Sequence, residues 1–247
     1  MPTAVDVEGV SKRFRVARQA TRTLKEALIL RAKGQWRYDD FTALDHVSLS
    51  IGNGESVGVI GANGSGKSTL FKIICGILRP TTGTVHVNGR ISPLIELSAG
   101  FHPELTGQEN VYLNGAIYGM RRDDIARKVT AIREFAGIGD FFLSPVRTYS
   151  SGMMARLAFA LAINVNADIL LVDEVLAVGD REFQDRCVEK IRELKAAGLT
   201  IVYVSHDLIS VETTADRVVW LDHGQIRHDG APKETIAKYL ASVATTH

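Results

Sequence analysis

The sequence predicts an α/β protein built on a buried parallel sheet, and three observations carry that expectation. Short runs rich in Val, Ile and Leu, at Ser56–Ile60, Ile169–Val172, Thr200–Val204 and Val218–Leu221, are bounded by Gly, Asp or Ser, the pattern of strands covered on both faces. Helix-like stretches separate them. A glycine-rich segment of the form GxxxxGK[ST] stands between the first run and the helical Leu70-Phe71-Lys72-Ile73-Ile74, the strand–loop–helix context in which that pattern has a meaning.

A chain of 247 residues, 45% hydrophobic and 23% charged, is long enough for one sizeable core, so residues 1–247 are expected to form a single domain. Within it Thr106-Gly107-Gln108-Glu109 has capping-box spacing and opens a helix that closes near Gly119, while Asp123 and Asp124 open another that ends about Gly137. No strand-like run falls among them. Residues 97–165 therefore read as a helical subdomain inserted into the α/β core, and a last helical run is expected around Glu234 to Ser242.

No stretch approaches the roughly 18 apolar residues that cross a bilayer, and Met1 to Asp6 lacks the basic and apolar regions of a secretion signal. Cys75 and Cys187 are too few and too far apart for a disulfide framework. These features predict a soluble chain in a reducing cytoplasm. The formal net charge of +1 gives no general reason to expect nucleic acid as a partner. Charge is nevertheless uneven, with nine cations against the single anion Glu26 between Lys12 and Arg37.

The loop Gly61-Ala62-Asn63-Gly64-Ser65-Gly66-Lys67-Ser68-Thr69 supplies what a triphosphate requires. Glycines let the backbone aim successive N–H groups at phosphate oxygens, and the helix that follows adds its positive end. Lys67 brings a point charge to the β and γ phosphates, and Ser68 offers a hydroxyl to Mg²⁺. Downstream, the apolar run Ile169–Val172 ends in Asp173-Glu174. Asp173 can hold the Mg²⁺ shell from the carboxyl end of a strand, which leaves Glu174 to orient and deprotonate a water for in-line attack. Tyr149-Ser150-Ser151-Gly152-Met153 reads as a helix head, with Ser as N-cap and small residues that leave N–H groups open to an anion.

A phosphate loop alone does not choose between kinases, GTPases and motor ATPases, and nothing here looks like the NKxD guanine pattern. The order of phosphate loop, Ser-x-Gly helix head, Asp173-Glu174, Ala177-Val178-Gly179-Asp180 and Val204-Ser205-His206-Asp207 resembles that of ABC transporter ATPases, over nearly the whole chain. The usual LSGGQ signature is YSSGM here. With Ser98-Ala99-Gly100-Phe101-His102-Pro103-Glu104-Leu105-Thr106-Gly107-Gln108-Glu109-Asn110, that form looks like the branch exporting bacterial surface polysaccharides: O-antigen first, capsule or teichoic acid next.

The resemblance implies a P-loop, RecA-like ABC core with an inserted helical subdomain and a small N-terminal antiparallel sheet. It implies an ATPase acting as a homodimer with ATP and Mg²⁺, at the cytoplasmic face of the inner membrane, beside two copies of an integral-membrane permease that moves a lipid-linked polysaccharide. Ser150 and Gly152 of one chain would reach the γ phosphate held by the other. His206 would contact that phosphate, Glu96 stands where the family has the Gln that senses metal and water, and Asp180 matches the loop coupling the two sites, a position an N-cap would also fill. Thr42 occupies the usual place of the adenine-stacking aromatic, so Phe41 or Tyr38 is expected to substitute unless both are core. The basic stretch, with Leu24, Ala27 and Leu28 at helical spacing, would meet the pyrophosphate of the lipid carrier or anionic head groups, or is a solvated face. No C-terminal carbohydrate-binding domain is expected. Another cargo, such as a lipid or drug, or a soluble ABC ATPase acting on DNA or ribosomes, is the alternative.

Overall fold

The chain opens with two long strands, β1 (Thr3–Ala17) and β2 (Tyr38–Gly52), in a computed structural model that describes residues 2–17, 38–94, 100–172, 179–204 and 208–245. The fully buried β3 (Ser56–Ile60) leads into helix α1 (Lys67–Ile74), and β4 (Thr82–Val87) and β5 (Ile91–Leu94) follow. Helices α2 (Gly107–Ile117), α3 (Arg122–Ala136) and α4 (Ser151–Ala162) come next, with 3-10 turns at Gly139–Leu143 and Val146–Thr148 between the last two. The chain then alternates through β6 (Ile169–Val172), α5 (Arg181–Ala196), β7 (Thr200–Val204), α6 (Leu208–Thr214) and β8 (Arg217–Asp222). It closes with β9 (Gln225–Gly230) and α7 (Pro232–Thr245).

Two sheets result. One is antiparallel in the order β2-β1-β4, and the other has the order β5-β6-β7-β3-β8-β9, parallel except for β9. The apolar runs of the sequence are the interior strands of the second sheet, and their side chains alternate between two cores. Val57, Val59, Leu171 and Val202 face α1 and the antiparallel sheet, whereas Ile60, Leu170, Ile201 and Tyr203 face Phe183 and Ile191 of α5 and Ile236 of α7. β3 lies between β7 and β8. The loop leaving its carboxyl end therefore emerges beside the ends of β7 and, one strand further, β6, the edge at which open α/β sheets bind ligands.

Helices α2, α3 and α4 bury a core of their own around Val111, Ile125, Ile132, Phe142 and Leu157. Their ends follow the sequence punctuation. The Thr106 hydroxyl accepts the Glu109 N–H while Glu109 accepts the Thr106 N–H, a complete capping box, and Gly137 closes α3 in the left-handed region. The fully buried Asn110 has a purpose the sequence did not disclose. Its Oδ1 accepts the His102 N–H at 2.7 Å, and its Nδ2 donates to the carbonyls of His102, Leu105 and Thr106 at 3.0–3.1 Å. One side chain thus holds the 102–106 loop onto α2. Both cysteines are free, and burial pushes each thiol up to about 12, so neither is a ready thiolate.

The capping box yields a measurable expectation. Thr106→Ala removes the cap and should cost about 1 kcal/mol in chemical denaturation. Hydrogen bonds from the Thr106 N–H and hydroxyl hold the Glu109 carboxyl below its ordinary 4.5, so this support is present above that pH and disappears as pH falls through the lower folded value. Protection of the amides at the start of α2, taken relative to their intrinsic exchange rates, should fall on acidification in the parent chain and fall less in Thr106→Ala, which keeps the backbone N–H bond to Glu109 but loses the hydroxyl one.

Candidate nucleotide-binding site

The segment from Gly61 to Gly66 is held in place by groups that leave no room for side chains. A Cβ on Gly61 (φ +151°) would stand 2.1 Å from the Leu221 carbonyl oxygen, and one on Gly66 (φ +109°) would stand 2.5 Å from that of Ala43. Glycine is required at both positions by space and by backbone conformation. The β8–β9 turn completes the clamp, because the Gly224 N–H donates to the Ser65 carbonyl at 2.9 Å and the Gly224 carbonyl accepts the Asp45 N–H at 2.8 Å. Both sheets therefore shape one loop.

Lys67 is 5% exposed, and its side chain folds back so that Nζ donates to the carbonyls of Gly61 and Ala62 at 2.8 and 3.0 Å. The ammonium is thereby fixed over the loop. Gly66, the N-cap of α1, carries no side chain to bond the first-turn N–H groups, which have no acceptor inside the helix and suit an anion. The Ser65 hydroxyl is buried without a hydrogen-bond partner among the described residues, a cost that an incoming oxygen would remove. Ala62, Asn63, Gly64 and Ser68 are exposed, and Thr69 is half-buried. These residues fit a bound triphosphate, and the exposed Ser68 hydroxyl on the first turn of α1 fits a magnesium ion beside it.

Glu96, Asp173, Glu174 and His206 lie outside the described residues. The strands they follow, β5, β6 and β7, end at Leu94, Val172 and Val204 and are neighbours in the sheet. Strands in a sheet are about 4.8 Å apart, so the end of β6 is roughly 10 Å from that of β3, within reach of side chains meeting at one ligand.

Ser150 is the N-cap of α4, as its position in the sequence suggested, and its hydroxyl accepts the Met153 N–H at 3.2 Å. It is exposed, and Gly152 behind it keeps the turn open, the nearest atom to an added Cβ being the Ser150 Oγ at 3.8 Å. No hydrogen bond among the described residues joins Ser150 or Gly152 to the 61–66 loop of the same chain. Asp180 caps α5 by accepting the Phe183 N–H at 2.9 Å and also faces Arg156 of α4 at 3.5 Å. Arg156 in turn donates to the Ala136 carbonyl at 2.9 Å and lies 4.8 Å over the Phe183 ring. Asp180 is thus joined to the helix that Ser150 begins.

Phe41 and Tyr38 are 53% and 55% exposed on the ribbon that β2 forms with β1. Phe41 precedes by two residues the Ala43 whose carbonyl abuts Gly66, so it sits about 7 Å along the strand from the loop. Directly opposite it in register is Phe14, half-buried with the Lys12 ammonium 5.1 Å over its ring. Sequence reasoning overlooked Phe14, because only the pairing of β1 with β2 places it opposite Phe41. It also missed Tyr149, whose hydroxyl bonds a carbonyl eight residues back, and Arg156, whose partners are the Ala136 carbonyl, Asp180 and the Phe183 ring. The cations Lys12, Arg13 and Arg15 belong to β1, and the remainder of the basic stretch, 18–37, lies outside the described residues.

The family model described as ABC transporter matches residues 44–177, which include the phosphate loop, the α4 head and Asp173-Glu174. The chain belongs to the ABC transporter family. Within this ABC family it is the ATP-binding, ATP-hydrolysing domain. It is 45% identical over 204 residues to the O-antigen export system ATP-binding protein RfbB of Klebsiella pneumoniae, covering 83% of each chain. It is 43% identical over 235 residues to the teichoic acids export ATP-binding protein TagH of Listeria monocytogenes, covering 95% of this ABC chain and 69% of that one. The fold matches the dimeric post-hydrolysis structure of the ATP-binding cassette MJ0796 bound to ADP and Pi, with a TM-score of 0.73 at 22% identity over 92% of this chain and 98% of that one.

The two rings separate experimentally. Stacking on a base is worth about 1–3 kcal/mol, so Phe41→Ala should weaken ATP binding by about tenfold, and Phe14→Ala, acting through Phe41, by less. Fluorescence titration with ATP measures both, and an unchanged affinity in Phe41→Ala would remove it as the adenine platform.

Proposed function

We propose that this ABC ATPase drives export of a lipid-linked surface polysaccharide, O-antigen before capsule or teichoic acid, as a homodimer docked on a membrane subunit. The observation that carries the dimer is the division of the site within one chain: a loop shaped for a triphosphate and a helix head shaped for an anion, with no hydrogen bond between them among the described residues. A second copy supplies each loop with the missing Ser150–Gly152 turn. The cargo class rests on likeness to RfbB and TagH, whose identities to this chain are 45% and 43%. Because proteins named for two polymers are nearly equally similar, the cassette is expected to serve lipid-linked polymer export in general, with the membrane subunit distinguishing the polymer.

In this reading Lys67, the loop N–H groups and Ser65 hold the β and γ phosphates. Ser68 and Asp173, with Glu96, hold magnesium, which when bound neutralises charge developing between those phosphates. Glu174 takes the proton of the attacking water. His206 keeps that water and the γ phosphate aligned. Asp180 couples the two sites across the dimer. ATP binding closes the pair and pulls on the membrane subunit, and hydrolysis reopens it.

A surface for that subunit is available. Leu113 and Ile117, one turn apart on α2, and Phe141 and Leu143, on the 3-10 turn packed near it, are large apolar side chains left 39–66% exposed. No helix among the described residues is long and apolar enough to cross a membrane, so the spanning part of the transporter is assigned to the partner at whose cytoplasmic side this chain sits.

Two experiments address the reading. Glu174→Gln should retain ATP, accumulate as a closed dimer and lose turnover by about a hundredfold or more, whereas Lys67→Ala should weaken ATP binding itself. Full ATPase activity in Glu174→Gln would make another group the base. Reversing the charges of Arg18, Arg22 and Lys25 should lower polymer export in cells far more than ATP turnover in detergent. Equal losses of both would remove the basic stretch from contact with the phosphate-bearing lipid.

A further inference from the structure

The residue before the Ser150 cap is held more tightly than the cap itself. Tyr149 is only 9% exposed, and its hydroxyl donates to the Phe141 carbonyl at 2.6 Å. That carbonyl also accepts the Ser144 N–H at 2.8 Å. On its other side the phenol fits against Gly107, the first residue of α2, where an added Cβ would stand 2.2 Å from the phenol oxygen. Burial pushes the phenol pKa up, which keeps the group a donor. The surrounding segment is laced to the α2 entry, the Gly107 N–H donating to Ser144, the Val146 N–H to Leu105 and the Arg147 N–H to Pro103, at 2.9–3.2 Å.

We infer that Tyr149 is a positioning residue, whose hydroxyl, seated between the Phe141 carbonyl and Gly107, sets the direction in which the Ser150–Met153 cap turn faces. This rests on the homodimer reading above, in which that turn meets the triphosphate held by the other copy. Because Phe141 belongs to the turn that exposes Phe141 and Leu143, the same hydrogen bond links the apolar surface of the helical layer to the cap. Pressure on the surface is delivered to the group that touches the γ phosphate.

Folding and positioning are separable here. Removing the hydroxyl leaves the Phe141 carbonyl with its Ser144 partner, so no buried acceptor is orphaned and Tyr149→Phe should fold. The loss falls on alignment, where small displacements have large kinetic effects.

The test uses the purified full chain. Tyr149→Phe should melt within about 3 °C of the parent and bind ATP within about twofold, while kcat falls about fivefold or more with little change in KM. In the Glu174→Gln background the same change should lower the ATP-trapped dimer seen by size exclusion. Gly107→Ala, which crowds the phenol from the opposite side, should reproduce the loss, and the two changes together should cost no more than the larger alone. Parent-like kcat and dimer in Tyr149→Phe, or losses that multiply in the double variant, would overturn the assignment. A Tyr149→Phe chain that melts far below the parent would make the contact a folding contact and overturn it as well. Failure of Glu174→Gln alone to form an ATP-dependent dimer would overturn the homodimer reading, and this role with it.

Discussion

The clamp on the phosphate loop is the constraint from which the rest follows. The loop is pressed between the Ala43 carbonyl on one sheet and the Leu221 carbonyl on the other, with Gly224 bonded to Ser65 from behind. The space left is too small for any side chain at Gly61 or Gly66. Backbone N–H groups and the Lys67 ammonium are therefore fixed before a ligand arrives, so little ordering cost remains when a triphosphate binds. This arrangement needs both sheets. The antiparallel sheet supplies one jaw, and the strand order that puts β3 between β7 and β8 supplies the other.

In the proposed function the same strand order lets residues from distant parts of the sequence serve one ligand. β6 and β7, which Asp173-Glu174 and Ser205-His206 follow in the sequence, end at Val172 and Val204 on the edge where the loop leaves β3. The helix head at Ser150 is different in kind. It belongs to a layer with its own core, tied to the α/β body through Arg156, Asp180 and the aromatic contacts of Phe135, Phe159 and Phe183. In the proposed homodimer, a site assembled from two such bodies in two chains can open and close as a unit, which is what a motor requires.

Legibility in the sequence tracked how local the physics is. β3, β6 and β7 were readable to the residue because strands buried on both faces must be apolar throughout, and the ends of α2 and α3 because caps and left-handed glycines act within a turn. β9 (Gln225–Gly230) exposes alternate residues and β4 (Thr82–Val87) exposes its first three and His86, so neither gives a comparable run. The phosphate loop was legible as a pattern, yet its clamp by Ala43, Leu221 and Gly224 was not, since nothing in a sequence says which carbonyls will approach. Phe14, Tyr149 and Asn110 were missed for the same reason. Tyr149 stood in the sequence only as a departure from the LSGGQ form, and its partner, Phe141, gave no sign of itself.

The central claim is that two copies share each nucleotide, and cysteine crosslinking between the loop and the helix head tests it most directly. Chains carrying Asn63→Cys are mixed with chains carrying Ser150→Cys, and a short bifunctional reagent is added with and without ATP and magnesium. The account predicts a product joining the two kinds of chain that forms only with nucleotide. A product that forms equally without nucleotide, or none between chains while both cysteines remain reactive, would contradict it.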